Sequence, residues 1–157
     1  MKKCIYVMVL TMLLWNCSSD DDAQTLTQAP LPAPVSSCTN GPVCNVALAN
    51  GETAGTVAAS IVGNYTLNYD EIQTGGPFPA AAVATAEVTS DNKLIFTYNG
   101  DCVTVENPFQ TSAAEVVFRD NCQFDVRFAV SESSNGGLNE INIFSFDGSQ
   151  FFGQFRE

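Results

Sequence analysis

Six cysteines carry most of the reactive chemistry of this chain: Cys4, Cys17, Cys38, Cys44, Cys102 and Cys122. A thiol can be acylated, oxidised to a disulfide or used as a soft metal ligand, and its surroundings decide which. Cys4 lies within an apolar run. Cys17 stands where that run ends, directly before Ser18-Ser19-Asp20-Asp21-Asp22. The other four are even in number, and in an exported chain they form a disulfide framework with three possible pairings. The expected pairs are Cys38 with Cys44, closing a tight loop through Asn40-Gly41, and Cys102 with Cys122. The second pair conflicts with a strict meander, which would place the strand around Val117 between the two cysteines, about 9.5 Å across and beyond disulfide reach. Zinc is the competing use. Such sites recruit cysteines at close spacing or add histidine, and neither Cys102 nor Cys122 has a near cysteine while the chain has 0 histidines. No metal and no cofactor is expected.

The missing histidine also removes the Ser-His-Asp and Cys-His arrangements and the usual base tuned near neutral pH. Paired carboxylates could serve a glycosidase, and Glu87, Glu106, Glu115 and Asp125 fall on expected strands. Acids at such positions ordinarily decorate the wet face of a sheet, and so small a domain leaves little cleft around a sugar. The acidic turns Asn68–Glu71, Ser90–Lys93 and Phe146–Gly148 offer oxygens to calcium but lack the ladder of spacings of an EF-hand. Turn chemistry explains them. No enzyme is expected.

The elements that would hold these groups are mostly strands. Tyr65, Leu67 and Tyr69 alternate with Asn64, Thr66 and Asn68; Leu94, Phe96 and Tyr98 share one parity; Cys122, Phe124, Val126, Phe128 and Val130 alternate with Gln123, Asp125 and Arg127. A period of two with one apolar face is the pattern of antiparallel sheet. Further strands are expected over 82–89, 101–106, 115–119, 140–147 and 150–156. Turn residues at 90–92, 99–100, 120–121, 133–137 and 147–148 separate them. About eight short antiparallel strands, all-β, would close as a small barrel or fold as a two-sheet sandwich; the barrel is the favoured reading. Ala54, Val57, Ala58 and Ile61 recur at helical spacing, so one short N-terminal helix is expected, capped by Thr53 and ended by Gly63. Nine of the 11 phenylalanines fall in expected strands, where they fill a core more readily than they line a cup. Phe152 opposes Phe151 and Phe155 in parity, and Phe144 and Phe146 oppose Ile141 and Ile143. One face cannot bury them all, so they form either an exposed sticky patch or a surface that the helix covers.

Before the sheet lie two other segments. Lys2-Lys3 followed by the apolar stretch 5–15 is too short to span a bilayer and has the layout of a secretory signal. Leu13-Leu14-Trp15-Asn16-Cys17 resembles the end of a bacterial lipoprotein signal, with Asn16 standing where that family carries a small residue. The resemblance implies that residues 1–16 are removed and that Cys17 bears a diacylglycerol. The tract Ser18–Asp22 is similar to the acidic signal that takes lipoproteins of the Bacteroidota to the cell surface. Residues 17–37 would then be anchor and tether, polar at first and stiffened by Pro30, Pro32 and Pro34. Residues 38–157 would be the disulfide-stapled β domain. Its opening, Ser60–Tyr69, resembles the entry of small lipocalin-like barrels.

After residue 16 the cations are Lys93, Arg119, Arg127 and Arg156 alone, against 17 carboxylates. Such a surface repels phosphate backbones and anionic lipid, which argues against nucleic-acid partners and polybasic membrane docking. The expected protein is a non-catalytic envelope lipoprotein, held at the outer membrane by acyl chains, whose β module binds a protein or serves a structural interaction. A carrier of a small apolar ligand and an acidic trap for a cationic protein are the alternatives.

Overall fold

A computed structural model describes residues 38–148 and 150–157. Residues 1–16, expected as a signal segment, Cys17 and the expected tether lie outside the described residues. Ten strands form one sheet: β1 (Val43–Asn45), β2 (Gly63–Gln73), β3 (Val83–Val88), β4 (Leu94–Tyr98), β5 (Asp101–Glu106), β6 (Phe109–Ser112), β7 (Glu115–Asp120), β8 (Val126–Glu132), β9 (Leu138–Ser145) and β10 (Phe152–Arg156). Two antiparallel meanders, β2–β5 and β6–β10, lie side by side through a β2–β10 pair, giving the order β1-β5-β4-β3-β2-β10-β9-β8-β7-β6. The described residues are therefore all-β, with ten strands in a single curled sheet where about eight in a barrel or sandwich were expected. The two strands missed are among the shortest. β1 has three residues and runs parallel to β5, and β6 has four residues and a shifted register.

Asn107 and Pro108 alone link β5 to β6, although β6 ends the hydrogen-bonded order on one side and β5 stands next to the end on the other. The three steps from Glu106 to Phe109 span at most about 11 Å, so the sheet must curl until its ends approach. No ladder joins β1 to β6 or β7, and the result is a half-barrel with an open seam.

The expected helix is replaced by the chain that dresses this seam. Among the described residues only Ala59–Ile61 make a helical turn, of the 3-10 kind. Residues 53–55 instead run along the free edge of β6: Gly55 N–H donates to Pro108 O (2.7 Å), Gln110 N–H donates to Thr53 O (2.9 Å), and Ala54 bridges Phe109. Helical spacing lost because an unpaired strand edge offers backbone bonds that a short, Gly-interrupted helix cannot match. Thr53 contributes its carbonyl here rather than a cap.

The disulfides follow from the same geometry and correct the expected pairing. Cys38 bonds Cys102 and Cys44 bonds Cys122, with Cα–Cα distances of 5.6 and 5.9 Å. Strand β1 was absent from the sequence reading, and it is what separates the cysteines otherwise. Lying beside β5, it carries Cys38 to Cys102 and turns Cys44 inward, across the seam, to Cys122. Gly41 makes the first bridge possible, since a Cβ there would fall 2.3 Å from both the Cys102 carbonyl oxygen and Cys38 Sγ.

The alternation read over Cys122–Val130 begins in fact at Val126. Residues 121–125 form a turn around Asp120, which is 0% exposed. Its Oδ1 accepts from Cys122 N–H (2.8 Å) and Gln123 N–H (2.9 Å), and its Oδ2 accepts from Phe124 N–H (2.8 Å). A buried carboxylate that satisfies three consecutive N–H groups outcompetes the ladder locally.

Inside the curl, side chains of one parity fill the space: Leu67, Tyr69, Phe96, Val103, Val105, Phe118, Phe128, Ile141, Ile143 and Phe155. Phe78, from the 74–82 connection, enters from one end. It is 1% exposed and meets the rings of Tyr69, Phe96, Tyr98, Phe124 and Phe155 at 5.2–5.7 Å. Tyr69 lies over Gly153 of β10, where a Cβ would fall 2.1 Å from its hydroxyl.

That hydroxyl is buried without a hydrogen-bond partner among the described residues. Burial, and then the Glu71 and Asp70 carboxylates, hold the phenol above the ordinary tyrosine value of 10.0. Tyr69→Phe keeps the ring and removes the orphan, so urea unfolding at neutral pH should show a gain of about 1 kcal/mol. Because the fold disfavours the phenolate, ionisation of Tyr69 leaves stability unchanged below the unfolded value of 10.0 and erodes it as pH rises from there through the raised folded value. The variant should accordingly lose less stability than the parent in alkaline buffer.

Candidate ligand groove on the outer face

The outer parity of the sheet carries a different pattern. Cross-strand partners line up in three lateral rows over β7–β10. The first is Arg119, Arg127, Phe144, Phe152; the second is Val117, Ala129, Asn142, Gln154, reached from Phe109 on β6; the third begins Glu115, Ser131, Glu140. The third row ends on Arg156, whose Nη2 lies 2.9 Å from Glu140 Oε2. In the second, Gln154 Nε2 donates to Asn142 Oδ1 at 3.0 Å.

Val117 and Ala129 are only 6% and 2% exposed although they sit on this outer face, outside the main core. They floor a cavity of about 340 Å³, walled by Phe109 and Phe144, with Arg127 and Gly148 at one end and Thr111 and Glu115 at the other. Phe144 in turn stacks on Phe152, rings 5.2 Å apart and 30° from parallel. The expected sticky patch thus contains Phe144 and Phe152 as a stacked pair. Phe146 lies apart from it in the β9–β10 turn, and among the described residues no helix covers either.

Cations concentrate here. Arg119 and Arg127 face each other directly across β7 and β8, an arrangement that repels unless each charge is otherwise engaged. Arg119 is engaged: its guanidinium pairs with Glu52 at 2.9 and 3.2 Å, donates to Ala47 O at 2.9 Å and lies 4.9 Å from the Phe109 ring centroid. Arg127 spends its Nε on Phe146 O at 2.7 Å. Lys93 bridges Asp91 and Glu106, each at 3.1 Å. Glu106 first and then Asp91 hold its ammonium above the usual lysine value, and the Thr89 hydroxyl followed by Lys93 holds Asp91 below the usual carboxylate value. Among the described residues, Arg127 is therefore the one cation without a carboxylate partner.

The acids considered for catalysis do not converge. Glu87, Glu106 and Glu115 sit on the outer faces of β3, β5 and β7, and Asp125 lies in the β7–β8 turn. Glu106 takes Lys93 and Asn45, and Glu115 takes the Thr111 hydroxyl at 2.6 Å. Cys44, Asp120 and Cys122 cluster closely enough to suggest metal ligands. Both sulfurs are consumed in a disulfide, and the carboxylate already holds three backbone N–H groups, which leaves no ligand set. Cys44 Sγ is 3.3 Å from Asp120 Oδ1, a contact without a proton to share.

The chain matches no protein-family profile, no curated protein and no solved structure. The fold and the groove stand on their own geometry.

Sequence reasoning singled out Phe144 and Phe152 but missed Phe109, Val117, Ala129 and the arginines. A signal was present. Val116-Val117-Phe118 and Phe128-Ala129-Val130 are apolar triplets on strands that otherwise alternate, and a triplet must place one apolar residue on the far face.

Proposed function

We propose that the chain is a non-catalytic envelope lipoprotein, anchored at the outer membrane through Cys17 and presenting residues 38–157 as a recognition module. The lipoprotein-like stretch 13–22 supports the anchor, and two long-range disulfides suit an oxidising compartment outside the cytoplasm. Recognition falls to the outer face of β6–β10. The observation that carries this choice is the groove floored by Val117 and Ala129, an apolar depression with an uncompensated arginine on an otherwise acidic surface.

A carrier with its ligand inside the sheet is the weaker reading, because Phe78 and its ring partners already occupy that space. Radiolabelled palmitate supplied to cells should enter the parent chain and be absent from Cys17→Ser. Equal labelling of the two would remove the anchor and, with it, the address.

A further inference from the structure

We infer that the outer groove is a binding site for an apolar monocarboxylate, its carboxylate on Arg127 and its body between Phe109 and Phe144. The inference rests on reading this face as the recognition surface and names what it takes. Three features of the groove select the ligand.

The first is charge. Arg127 Nε is spent on Phe146 O, which fixes the plane of the guanidinium and leaves its outer nitrogens for a planar anion. Every other described cation has an acidic partner in a chain with a large excess of acids, so the missing partner at Arg127 is a local departure from the rest of the surface. Arg119 sits directly opposite and raises the positive potential further, even with Glu52 attached. An anion held beside Arg127 would relieve this like-charge pairing.

The second is shape. The floor of Val117 and Ala129 and the walls of Phe109 and Phe144 are apolar, and about 340 Å³ accommodates a small aromatic or medium-length aliphatic body. The third is the opposite end. Glu115 lies four residues before Arg119 along β7, roughly 13 Å at the strand rise. There the second carboxylate of a ligand long enough to reach it would meet a like charge, so long dicarboxylates are disfavoured.

The test uses the full chain in nanodiscs with ¹³C-labelled alanine and valine methyl groups, titrated with 3-phenylpropanoate. Saturable shifts confined to Val117 and Ala129 are expected. The neutral analogue 3-phenylpropanol should bind roughly tenfold more weakly or worse, as should a phenylpropanoate bearing a second carboxylate on the ring. Arg127→Gln should abolish the preference of acid over alcohol, and Arg127→Lys should retain part of it. Equal affinity for acid and alcohol overturns the proposal on the parent protein alone, whatever the variants do. So does tighter binding of 3-phenylpropylamine, or saturable shifts at these methyls only with an added acidic peptide. Absent binding alongside normal palmitate labelling would sink this site while leaving the anchor standing. The reverse result would do the opposite.

Discussion

Phe78→Ala is expected to cost about 3–5 kcal/mol and to lower Tm by roughly 10–20 °C. Among the described residues no other side chain joins so many rings: Phe78 comes from a connection, not a strand, and packs edge-on or tilted against five aromatic neighbours. Its removal leaves a void lined by Phe96, Tyr69 and Phe155, which are fixed by their own ladders and cannot follow it inward. The loss therefore combines transfer of the ring to water with a cavity that collapses only partly. Urea denaturation measures the first, and xenon uptake by the variant reports the second, since an apolar void of that size stays dry. A cost below about 1 kcal/mol would mean that Phe78 does not fill the half-barrel. The carrier reading would then regain its interior space.

Replacing Cys44 and Cys122 together with alanine should cost about 3–4 kcal/mol. The direct loop is 78 residues. With Cys38–Cys102 intact, however, the unfolded chain already has a shorter route between the two positions, back from 44 to 38, across the bridge and on from 102 to 122. That route is about 26 residues, and the chain-entropy cost falls with it. Alanine is the right replacement, because a serine hydroxyl at 44 would sit beside Asp120 Oδ1 and restore part of what was lost. This bridge also acts on the native state, as it spans a seam that no ladder crosses. Hydrogen exchange should quicken around β1 and residues 121–125 while β3, β4 and β9 stay protected. Uniform loss of protection would show that the seam is held by something else.

The central strands were legible because each has one wet and one dry face. Leu94-Ile95-Phe96 and Asp101–Glu106 show their parity plainly, and turn residues such as Asn99-Gly100 fix where they end. What escaped was whatever depends on partners distant in sequence. β1 is three residues whose only ladder is to β5, some 60 positions on, and nothing local marks it as a strand. The disulfide pairing depends on β1 and failed with it. Residues 53–58 carry a helical spacing that the edge of β6 overrides. The turn after Asp120 looked like strand because Phe124 keeps the right parity, while the buried carboxylate that breaks the ladder has no local signature.

The groove was half legible for a related reason. Phe144 and Phe152 announce themselves by opposing their neighbours, but Arg119 and Arg127 become a pair only once the β7–β8 register is known. Arg127 stands out only after every other described cation has been matched to its acid.

Protein taken from its own cells, digested without reduction and analysed by mass spectrometry, tests both the address and the fold in one measurement. The account predicts an N-terminal peptide that begins at Cys17 and carries diacylglycerol, together with linked peptides joining 38 to 102 and 44 to 122. A bare thiol at position 17, with the preceding segment still attached and free sulfhydryls at 44 and 122, would contradict it.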